Sequence, residues 1–422
     1  MSEPLLRRVE PADVPELRRM PVDPETLAEA ASIIAEVREG GTGSLRACAE
    51  RFGDRAKGEP LVIERDELDA ARDAIDQVSL GVLERAAERI RIFATAQRES
   101  LGDCTIGIPG GEAGHWVAPV ERAGCYAPGG RFPLPSSVLM TAVTARAAGV
   151  DEVIVASPRP APVTLAAASV AGADRLLACG GAHAIAAFAY GAGNAISPMD
   201  AVVGPGNRWV TAAKQLVAGV VRIDMLAGPS ELVVLADASA NPATIAADLL
   251  AQAEHDIDAQ AVLVSTDASL IERVESCLEE QIAKLPTAET ARVALQNGFA
   301  VLVNSIEDGI AICDRLAPEH LELDVKQAAE VAPRLAHYGG LFIGDASAEV
   351  LGDYGAGPNH TLPTGGTARS NAGLSVFDFL RVRTWMRIDE PERAQGLVSD
   401  AIGLARLEGL EGHARSAERR LI

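Results

Sequence analysis

A glutamate and a histidine stand side by side in the stretch LAPEHLEL, at Glu319 and His320. Carboxylates and imidazoles are common proton acceptors and donors in catalysis. Successive residues of a strand point to opposite faces, so the two groups can meet at one reacting atom only if the backbone is irregular there. Pro318 favours such an irregularity because its ring restricts the backbone around it. The pair is a candidate acid–base couple, and the alternative is a solvated Glu beside a structural His.

Four of the seven histidines lie beside carboxylates, at strand ends or in loops, and they suggest a metal site with nitrogen and oxygen ligands. His255 ends the helical stretch TIAADLLAQAEHD, and Gln252 lies on the same helix face. His360 lies in the loop GDYGAGPNHTLPTGG, which also holds Asp353. His413 lies in LEGLEGHAR, where a solvated helical histidine is the alternative.

Two glycine-rich turns follow predicted strands, where backbone N–H groups could meet a phosphate. They are CYAPGGRFPLPSS at residues 125–137 and VVGPGN at residues 202–207. Neither has the GxGxxG spacing of a dinucleotide-binding fingerprint, and tight turns alone also explain such glycines and prolines. A phosphate-bearing cofactor is therefore one of two interpretations of these turns.

Short apolar runs alternate with alanine-rich helical stretches from about residue 150 onwards, after a mostly helical segment at residues 24–100. The predicted strands are residues 152–157, 175–180, 201–204, 231–237, 260–265, 300–304, 321–323 and 340–344. This alternation predicts an α/β protein with two Rossmann-like, doubly wound lobes, incomplete and without GxGxxG, plus a helical N-terminal segment and an extended helical C-terminal tail. The default ligand site of such lobes is the cleft at the carboxyl ends of the strands.

The sequence predicts four parts of the chain. Residues 22–121 and 233–375 are expected to form a larger α/β lobe that carries the metal and catalytic residues. Residues 122–232 are expected to form a second lobe on the cofactor side. Residues 1–21 form an N-terminal arm, and residues 376–422 form a tail that is too short to hold a core alone and must pack on something, such as another subunit.

The composition is that of a globular protein, since 48% of the 422 residues are hydrophobic and 23% are charged. A formal charge of −21 without a basic stripe disfavours binding to nucleic acid or to an anionic membrane surface. Six scattered cysteines fit a reducing cytosol rather than a disulfide framework or a thiolate zinc site. The N-terminus has no apolar signal core, and glycines and polar residues interrupt the uncharged stretch 176–199. We expect a cytoplasmic protein without membrane spans.

Seven stretches, in the same order along the chain, together resemble the histidinol dehydrogenase family, which is zinc-containing and NAD-dependent. They are CYAPGGRFPLPSSVLMTA, VVGPGN, IDMLAGPSELVVLAD, LLAQAEHD, APEHLEL, GDYGAGPNHTLPT and EGLEGHAR. The resemblance extends from about residue 25 to residue 413. It implies oxidation of L-histidinol to L-histidine through bound L-histidinal, with two NAD⁺ reduced, as the last step of histidine biosynthesis.

The resemblance implies roles for four groups of residues. The zinc ligands would be Gln252, His255, Asp353 and His413. The catalytic pair would be Glu319 and His320. The residues that contact the substrate would be these six together with Ser230, His360 and Glu408. The residues at positions that contact the cofactor would be Tyr126, His183 and Asn207. The resemblance also implies a homodimer in which the tail, with Glu408 and His413, serves the active site of the neighbouring subunit.

One residue departs from the family pattern, because this chain reads GGAHAIAA where the family usually has GGAQAIAA. His183 therefore stands in place of a glutamine that contacts the cofactor. Imidazole can donate one hydrogen bond, but it cannot reproduce the donor and acceptor of an amide. The role of this position in cofactor binding stays open from the sequence, whereas the chemistry is untouched.

Other functions stay open as well. A relative that oxidises another polar alcohol, such as a sulfonated diol, would keep the zinc and the Glu–His pair; Glu408 favours histidinol because it could pair with a substrate ammonium. A zinc hydrolase would use Glu319 to activate metal-bound water and would not need NAD⁺. A catalytically inactive binding protein is disfavoured because every proposed catalytic and metal position is filled. Manganese and cobalt suit the same ligands as zinc.

Overall fold

The computed structural model describes residues 4–16, 22–129 and 132–422, which form two six-stranded sheets and one three-stranded sheet. The strands are β1 Arg7–Arg8, β2 Val62–Ile63, β3 Cys104–Ile108, β4 Gly111–Pro119, β5 Arg122–Tyr126, β6 Glu152–Ala156, β7 Arg175–Leu177, β8 Ala201–Val203, β9 Arg222–Ile223, β10 Glu231–Ala236, β11 Gln260–Ser265, β12 Phe299–Leu302, β13 His320–Asp324, β14 Gly340–Ile343 and β15 Leu380–Ile388.

Helices follow most of the strands. The α-helices are α1 Pro24–Arg51, α2 Arg65–Ala74, α3 Gln77–Glu99, α4 Pro135–Ala148, α5 Pro162–Val170, α6 Gly181–Tyr190, α7 Arg208–Val217, α8 Pro242–Ala253, α9 Ala268–Ile282, α10 Ala288–Asn297, α11 Ile306–Leu316, α12 Ala328–Val331, α13 Glu349–Asp353, α14 Gln395–Leu407 and α15 Glu411–Glu418. Short 3₁₀ helices lie at Pro11–Asp13, Ala332–Arg334, Thr367–Arg369, Val376–Phe379 and Pro391–Ala394.

The first sheet has the strand order β1-β12-β11-β10-β13-β14, and all its strands are parallel. Its central strands are apolar along their length because helices cover both faces, as in other doubly wound sheets. Of the predicted N-terminal arm, residues 4–16 are described, and β1 joins the edge of this sheet beside β12. Residues 1–3 and 17–21 lie outside the described residues.

The second sheet has the order β2-β7-β6-β5-β8-β9 and is parallel except for β2, which runs antiparallel to β7. Helices α1, α6 and α7 share one apolar core with this sheet, and α2 to α5 share the core on its other face. The α/β class with two doubly wound lobes is therefore confirmed. Each predicted strand is present, with ends that differ by at most three residues.

The packing corrects the predicted division of the chain. We predicted that residues 22–121 belong with the lobe of residues 233–375, but α1 packs on α6 and α7, α2 on α5, and α3 on α4. Ile34, Val37 and Leu45 of α1 lie in the same core as Ile185 of α6. A helical pattern predicts which face of a helix is apolar, but it does not predict which sheet that face will cover.

The third sheet is antiparallel, has the order β15-β4-β3, and is exposed along most of its length. Trp116 and Trp385 stack on it with ring centroids 5.4 Å apart. The tail, predicted as helical, thus begins as the nine-residue strand β15 paired with β4. Only then do α14 and α15 follow, and these pack mainly on each other. No helix among the described residues is long and apolar enough to cross a membrane.

Candidate active site

The Glu319–His320 pair lies at the amino edge of the first sheet. His320 is the first residue of β13 and is in register with Leu232 of the neighbouring strand β10. Ser230 directly precedes β10, so it lies beside Glu319. This corrects the expectation of a ligand site at the carboxyl ends of the strands.

The carboxyl ends of the same two strands are closed by their own hydrogen bonds. The Asp237 N–H, just after β10, donates to the carbonyl of Asp324 at 3.2 Å. The Lys326 N–H donates to the Asp237 carboxylate at 2.9 Å. Asp237 thus links the two strands at the end where a doubly wound sheet usually binds its ligand.

The backbone before the pair has the predicted irregularity. Ala317 ends α11 in the left-handed region at φ 48°, which is uncommon for a residue with a side chain. Pro318 follows, and the chain then enters β13 directly. As a result, a Glu319 carboxylate oxygen lies 3.6 Å from Nδ1 of His320, although the two residues are adjacent in sequence.

The hydrogen bonds of His320 leave one of its ring nitrogens free to act as a base. Nδ1 lies 3.1 Å from the carbonyl oxygen of Glu231, and a carbonyl only accepts, so Nδ1 carries the proton. Nε2 is buried, has no hydrogen-bond partner among the described residues, and lies 3.8 Å from an Asp353 carboxylate oxygen. Burial lowers the pKa of His320 to about 4, and the charge of Asp353 opposes this shift.

Glu319 is buried and held by two donors. Its Oε2 accepts from the Ser230 hydroxyl at 2.6 Å and from the Glu231 N–H at 2.9 Å. Burial raises the pKa of Glu319 well above its usual range, because a carboxylate loses its hydration there, and the two donors only partly offset this. Glu319 is therefore a carboxyl group with raised basicity and a fixed orientation.

Three of the nearby side chains could hold one metal ion. His255, Glu349 and Asp353 each offer a ligand atom, and these atoms all lie within 4.8 Å of one another. Gln252, in the last turn of α8, is 0% exposed, and both polar atoms of its amide lack a hydrogen-bond partner among the described residues. Such a buried amide is costly unless something binds its oxygen. A metal ion with nitrogen and oxygen ligands fits this site.

Glu349 is a site residue that the sequence reasoning missed. It begins the short helix α13, and Asp353 lies four residues later on the same face. One of its oxygens lies 3.4 Å from Nδ1 of His320. The i,i+4 spacing of two carboxylates just before the loop of His360 was the available signal.

Behind the candidate metal ligands lies a second, unpredicted carboxyl group, Glu322. Its Oε1 accepts from the Glu349 N–H at 2.8 Å, so it fixes the start of α13 against β13. Burial, with the charge of Asp248 adding to it, raises the pKa of Glu322 to about 8. Burial also raises the pKa values of Asp248 and Asp324 to about 6.

His360 lies at the same site. Its Nδ1 donates to the Asp353 carbonyl at 2.9 Å, and His320, Asp353 and His360 line one cavity of about 240 Å³ with Phe342. Of the predicted substrate and metal residues, the structure thus brings together Ser230, His255, Glu319, His320, Asp353 and His360. Gln252 is buried three residues before His255, in the last turn of α8.

The structure does not bring Glu408 and His413 to this site within one chain. Both are exposed and line a cavity formed by residues of α14, α15 and the connection between them. The tail also exposes large apolar side chains, with Leu404 60% and Leu407 86% exposed. These two predicted site residues can therefore act at the Glu319–His320 site only in another copy of the chain or after a rearrangement of the tail.

The three predicted cofactor residues line a separate cavity of about 590 Å³ on the second sheet. Tyr126 is the last residue of β5, His183 is in the first turn of α6, and Asn207 precedes α7. The cavity therefore lies at the carboxyl ends of β5, β7 and β8, and α1 forms its opposite wall through residues such as Glu29 and Ile33. Its size is in the usual range for small-molecule sites.

Each of these three side chains has a defined partner. The Tyr126 hydroxyl accepts from the Gly181 N–H at 3.1 Å. Asn207 Oδ1 accepts from the first free N–H groups of α7 and caps that helix. His183 is buried, and its Nε2 lies 2.9 Å from the carboxylate of Asp54, a contact that the sequence did not predict.

Comparison with known proteins agrees with these observations. A family model described as histidinol dehydrogenase matches residues 18–421. The histidinol dehydrogenase of Thermus thermophilus is 47% identical over 406 residues, which cover 96% of this chain and 96% of that protein. The histidinol dehydrogenase of Aromatoleum aromaticum is 42% identical and covers 93% of this chain and 91% of that protein. The crystal structure of histidinol dehydrogenase from Elizabethkingia anophelis superposes with a TM-score of 0.92 at 30% identity, over 100% of this chain and 99% of that one.

Proposed function

The chain belongs to the histidinol dehydrogenase family, and from that premise we propose that it oxidises L-histidinol to L-histidine through bound L-histidinal, with NAD⁺ as the oxidant. The observation that carries the proposal is the pairing of two bases at one site. His320 offers an Nε2 that has no hydrogen-bond partner in the part of the chain that the structure describes, and Glu319 offers a carboxyl group oriented by Ser230. An oxidation in two steps, with uptake of water between them, needs a base for each step.

In the first step, Nε2 of His320 takes the proton of the alcohol hydroxyl. Its orientation is suited to this because Nδ1 donates to the Glu231 carbonyl, which fixes both the tautomer and the ring plane. NAD⁺, when bound, accepts the hydride that leaves the carbinol carbon. The low pKa of His320 keeps the ring neutral and ready to accept a proton.

In the second step, Glu319 takes a proton from the water that adds to the aldehyde. Burial makes its carboxylate a stronger base than an exposed one, and the Ser230 hydroxyl and the Glu231 N–H hold one oxygen in place. His320 must release the first proton to solvent before it accepts the hydroxyl proton of the hydrate, as it did for the alcohol, while a second NAD⁺ takes the second hydride. His320 thus acts as a base in both half-reactions, and Glu319 acts only in the second.

Gln252, His255 and Asp353 would hold a zinc ion, and Glu349 lies close enough to join them or to orient their neighbours. When bound, the ion would retain the imidazole and amino nitrogens of the substrate, so that the aldehyde is not lost between the two steps. His360 would contact the substrate from the same cavity.

We place Glu408 and His413 in the site of a second subunit within a homodimer. The support is that the tail helices pack mainly on each other and expose Leu404 and Leu407, and that His413 is exposed. The Val382 and Met386 side chains of β15 are also 52% and 65% exposed, so the third sheet presents apolar surface as well. Such surfaces are usually covered in an assembly.

A subunit-exchange experiment tests the shared site. The inactive variants Glu319→Ala and His413→Ala are mixed and allowed to exchange subunits. If the tail serves the neighbouring site, a mixed dimer holds one intact site, and activity returns towards about a quarter of the wild-type value at random exchange. Verified mixed dimers without recovered activity would contradict the arrangement.

The cavity of Tyr126, His183 and Asn207 is the proposed site of NAD⁺. Its support is its place at the carboxyl ends of a parallel sheet, where such sheets commonly bind dinucleotides, and its lining of aromatic and polar groups. None of the described residues accepts a hydrogen bond from Nδ2 of Asn207, so this donor is available to a ligand.

Product stoichiometry tests the proposed reaction. Purified protein with zinc, NAD⁺ and limiting L-histidinol should form two NADH per histidinol consumed, with L-histidine as the product. One NADH per histidinol would show that the aldehyde escapes or is not hydrated. No NADH from a folded, metal-loaded sample would favour another polar alcohol, and turnover of an ester or amide without NAD⁺ would favour a hydrolase.

A further inference from the structure

One wall of the proposed NAD⁺ cavity contains the buried carboxylate of Asp54, which has no role in the proposed reaction. The side chain of Asp54 is 8% exposed and lies in the loop between α1 and β2. Its Oδ2 lies 2.8 Å from the backbone nitrogen of Gly180 and 2.9 Å from Nε2 of His183. A carboxylate only accepts, so both nitrogens donate to this one oxygen. Asp54 thus fastens its loop to the start of α6.

A stack of side chains continues from this contact. The Phe52 ring stacks on His183, with centroids 5.4 Å apart and planes inclined by 20°. The Arg51 guanidinium lies over the Phe52 ring at 4.8 Å and pairs with Glu36 of α1 at 2.9 Å. The stack therefore links the middle of α1, the loop after it and the first turn of α6.

Every member of this stack lines the cavity, as does the glycine that Asp54 holds. The members are Glu36, Arg51, Phe52, Asp54, Gly180 and His183. The main chain of the loop is itself fixed to the end of α1, since the Asp54 N–H donates to the Ala49 carbonyl at 2.8 Å. The Asp54 carboxylate is therefore held in place and can fix Gly180 and His183 in turn. Without its bonds, these two residues would have to be ordered whenever a ligand bound, and this ordering lowers affinity.

We propose that Asp54 is a positioning residue for the dinucleotide: acting through His183 and Gly180, it fixes the wall against which NAD⁺ binds. The proposal rests on the proposed function of the cavity and deepens it. It also gives His183 a role that needs only the Nε2–H donor, so the amide of the usual glutamine is not required at this position. Hydrogen bonds to a buried, ionised acceptor are among the stronger ones in proteins.

Binding of NADH to the full-length, zinc-loaded dimer tests the proposal. In Asp54→Asn, one amide oxygen must replace a charged acceptor, and the amide NH₂ cannot accept from Gly180 or His183. We expect the Kd for NADH, followed by its fluorescence, and the KM for NAD⁺ to rise about tenfold, as for the loss of one charged hydrogen bond. The kcat at saturating NAD⁺ and the KM for L-histidinol should change less than about twofold.

Two substitutions at His183 separate positioning from a general loss of stability. His183→Gln keeps a donor that can reach Asp54, whereas His183→Leu removes it. We expect the Leu variant to lose as much NADH affinity as Asp54→Asn, and the Gln variant to lose clearly less. Gln and Leu variants with equal losses would overturn the proposal.

Asp69→Asn is the matched control on the same lobe. Asp69 accepts from the Ser169 hydroxyl at 2.6 Å and joins α2 to α5, outside the cavity. We expect it to lower the Tm without changing the Kd for NADH. If Asp54→Asn also lowered only the Tm, Asp54 would be merely structural, and this inference alone would fail. A wild-type protein that bound no NADH would overturn the proposed function together with the inference.

Discussion

The two six-stranded sheets place their cavities at opposite ends of their strands. In the second sheet, Tyr126, His183 and Asn207 lie at the carboxyl ends of β5, β7 and β8. In the first sheet, Glu319 and His320 lie at the amino edge, where β10 and β13 begin. Both sheets are doubly wound, so the fold alone does not decide which end carries the site.

The course of the chain around β10 and β13 differs from that in the second sheet. In the first sheet, Asp237 accepts from the Lys326 N–H and donates its own N–H to the Asp324 carbonyl, so it links the carboxyl ends of the two strands. Helix α8 starts at that end and runs back to the amino edge, so His255, which follows this helix, lies near the first residue of β13. The amino edge therefore collects imidazole, amide and carboxyl groups, while the carboxyl end of the second sheet keeps an open cavity.

The comparison predicts that each cavity can be damaged without the other. The largest effect is expected for His320→Ala, which removes the proposed base and should lower kcat by about 10²–10⁴-fold. The Kd for NADH should stay unchanged because the ring lies on the other sheet. Steady-state kinetics and NADH titration check this, with His115→Ala, a half-buried histidine of the third sheet, as the control. A similar loss of NADH binding would break the separation of the two cavities.

A second large effect is expected at the metal site. Gln252→Leu should weaken zinc binding at least about tenfold, a loss known even for residues outside the metal ligands themselves. In the metal-free protein the same substitution should raise the stability, because it removes a buried amide that has no hydrogen-bond partner among the described residues. Thermal unfolding should show a raised Tm of the metal-free protein and a smaller rise on adding zinc. A lower Tm without metal would contradict the unsatisfied amide.

A moderate effect is expected at Asn207. Asn207→Ala removes the cap of α7 and should cost about 1 kcal/mol of stability, while the KM for NAD⁺ rises several-fold and that for histidinol does not. Asp267→Ala is the matched control, because it removes the cap of α9, away from both cavities. An equal rise of the KM for NAD⁺ in the control would show that the effect is not local.

The smallest effect is expected for Glu322→Gln and appears in the pH dependence of stability. The folded pKa of about 8 lies above the ordinary value of 4.5, so between these pH values the unfolded chain releases a proton that the folded chain keeps. Stability contributed by protonated Glu322 is present at low pH and lost as pH rises towards 8. The Tm of the variant should therefore fall less than that of the wild type between pH 5 and pH 8. Each kcal/mol of difference in the free energy of unfolding corresponds to about 2–4 °C in Tm. Parallel pH profiles would contradict a buried, protonated Glu322.

Much of the fold was predictable because its strands are buried on both faces and read as apolar runs. The strand of residues 260–265 was predicted with its observed ends, and Glu231–Ala236 nearly so. The third sheet was missed, since β3 is mostly exposed, β4 is only half-buried, and neither carries an inward-facing apolar pattern. Strand β15 did carry a signal, because arginine alternates with apolar residues along LRVRTWMRI.

The candidate site was predictable where a residue type and a local irregularity coincided. Glu319 and His320 were found this way, and the left-handed Ala317 gives the irregularity that Pro318 indicated. Glu349 was missed although its i,i+4 spacing to Asp353 was available as a signal. Asp54 was missed because its role depends on a contact between distant segments, since it meets a residue 129 positions away. Sequence spacing cannot show such a contact before the packing of α1 and α6 is known.

The proposed roles are removal of the alcohol proton by His320 and activation of water by Glu319. Separate measurement of the two half-reactions in Glu319→Gln tests these roles most directly. The amide keeps the size of the side chain but cannot take a proton from water. We expect oxidation of supplied L-histidinal to fall by about 10²–10⁴-fold, while the first hydride transfer from L-histidinol, measured in a single turnover, falls less than about tenfold. Equal losses in both half-reactions would contradict separate roles for Glu319 and His320.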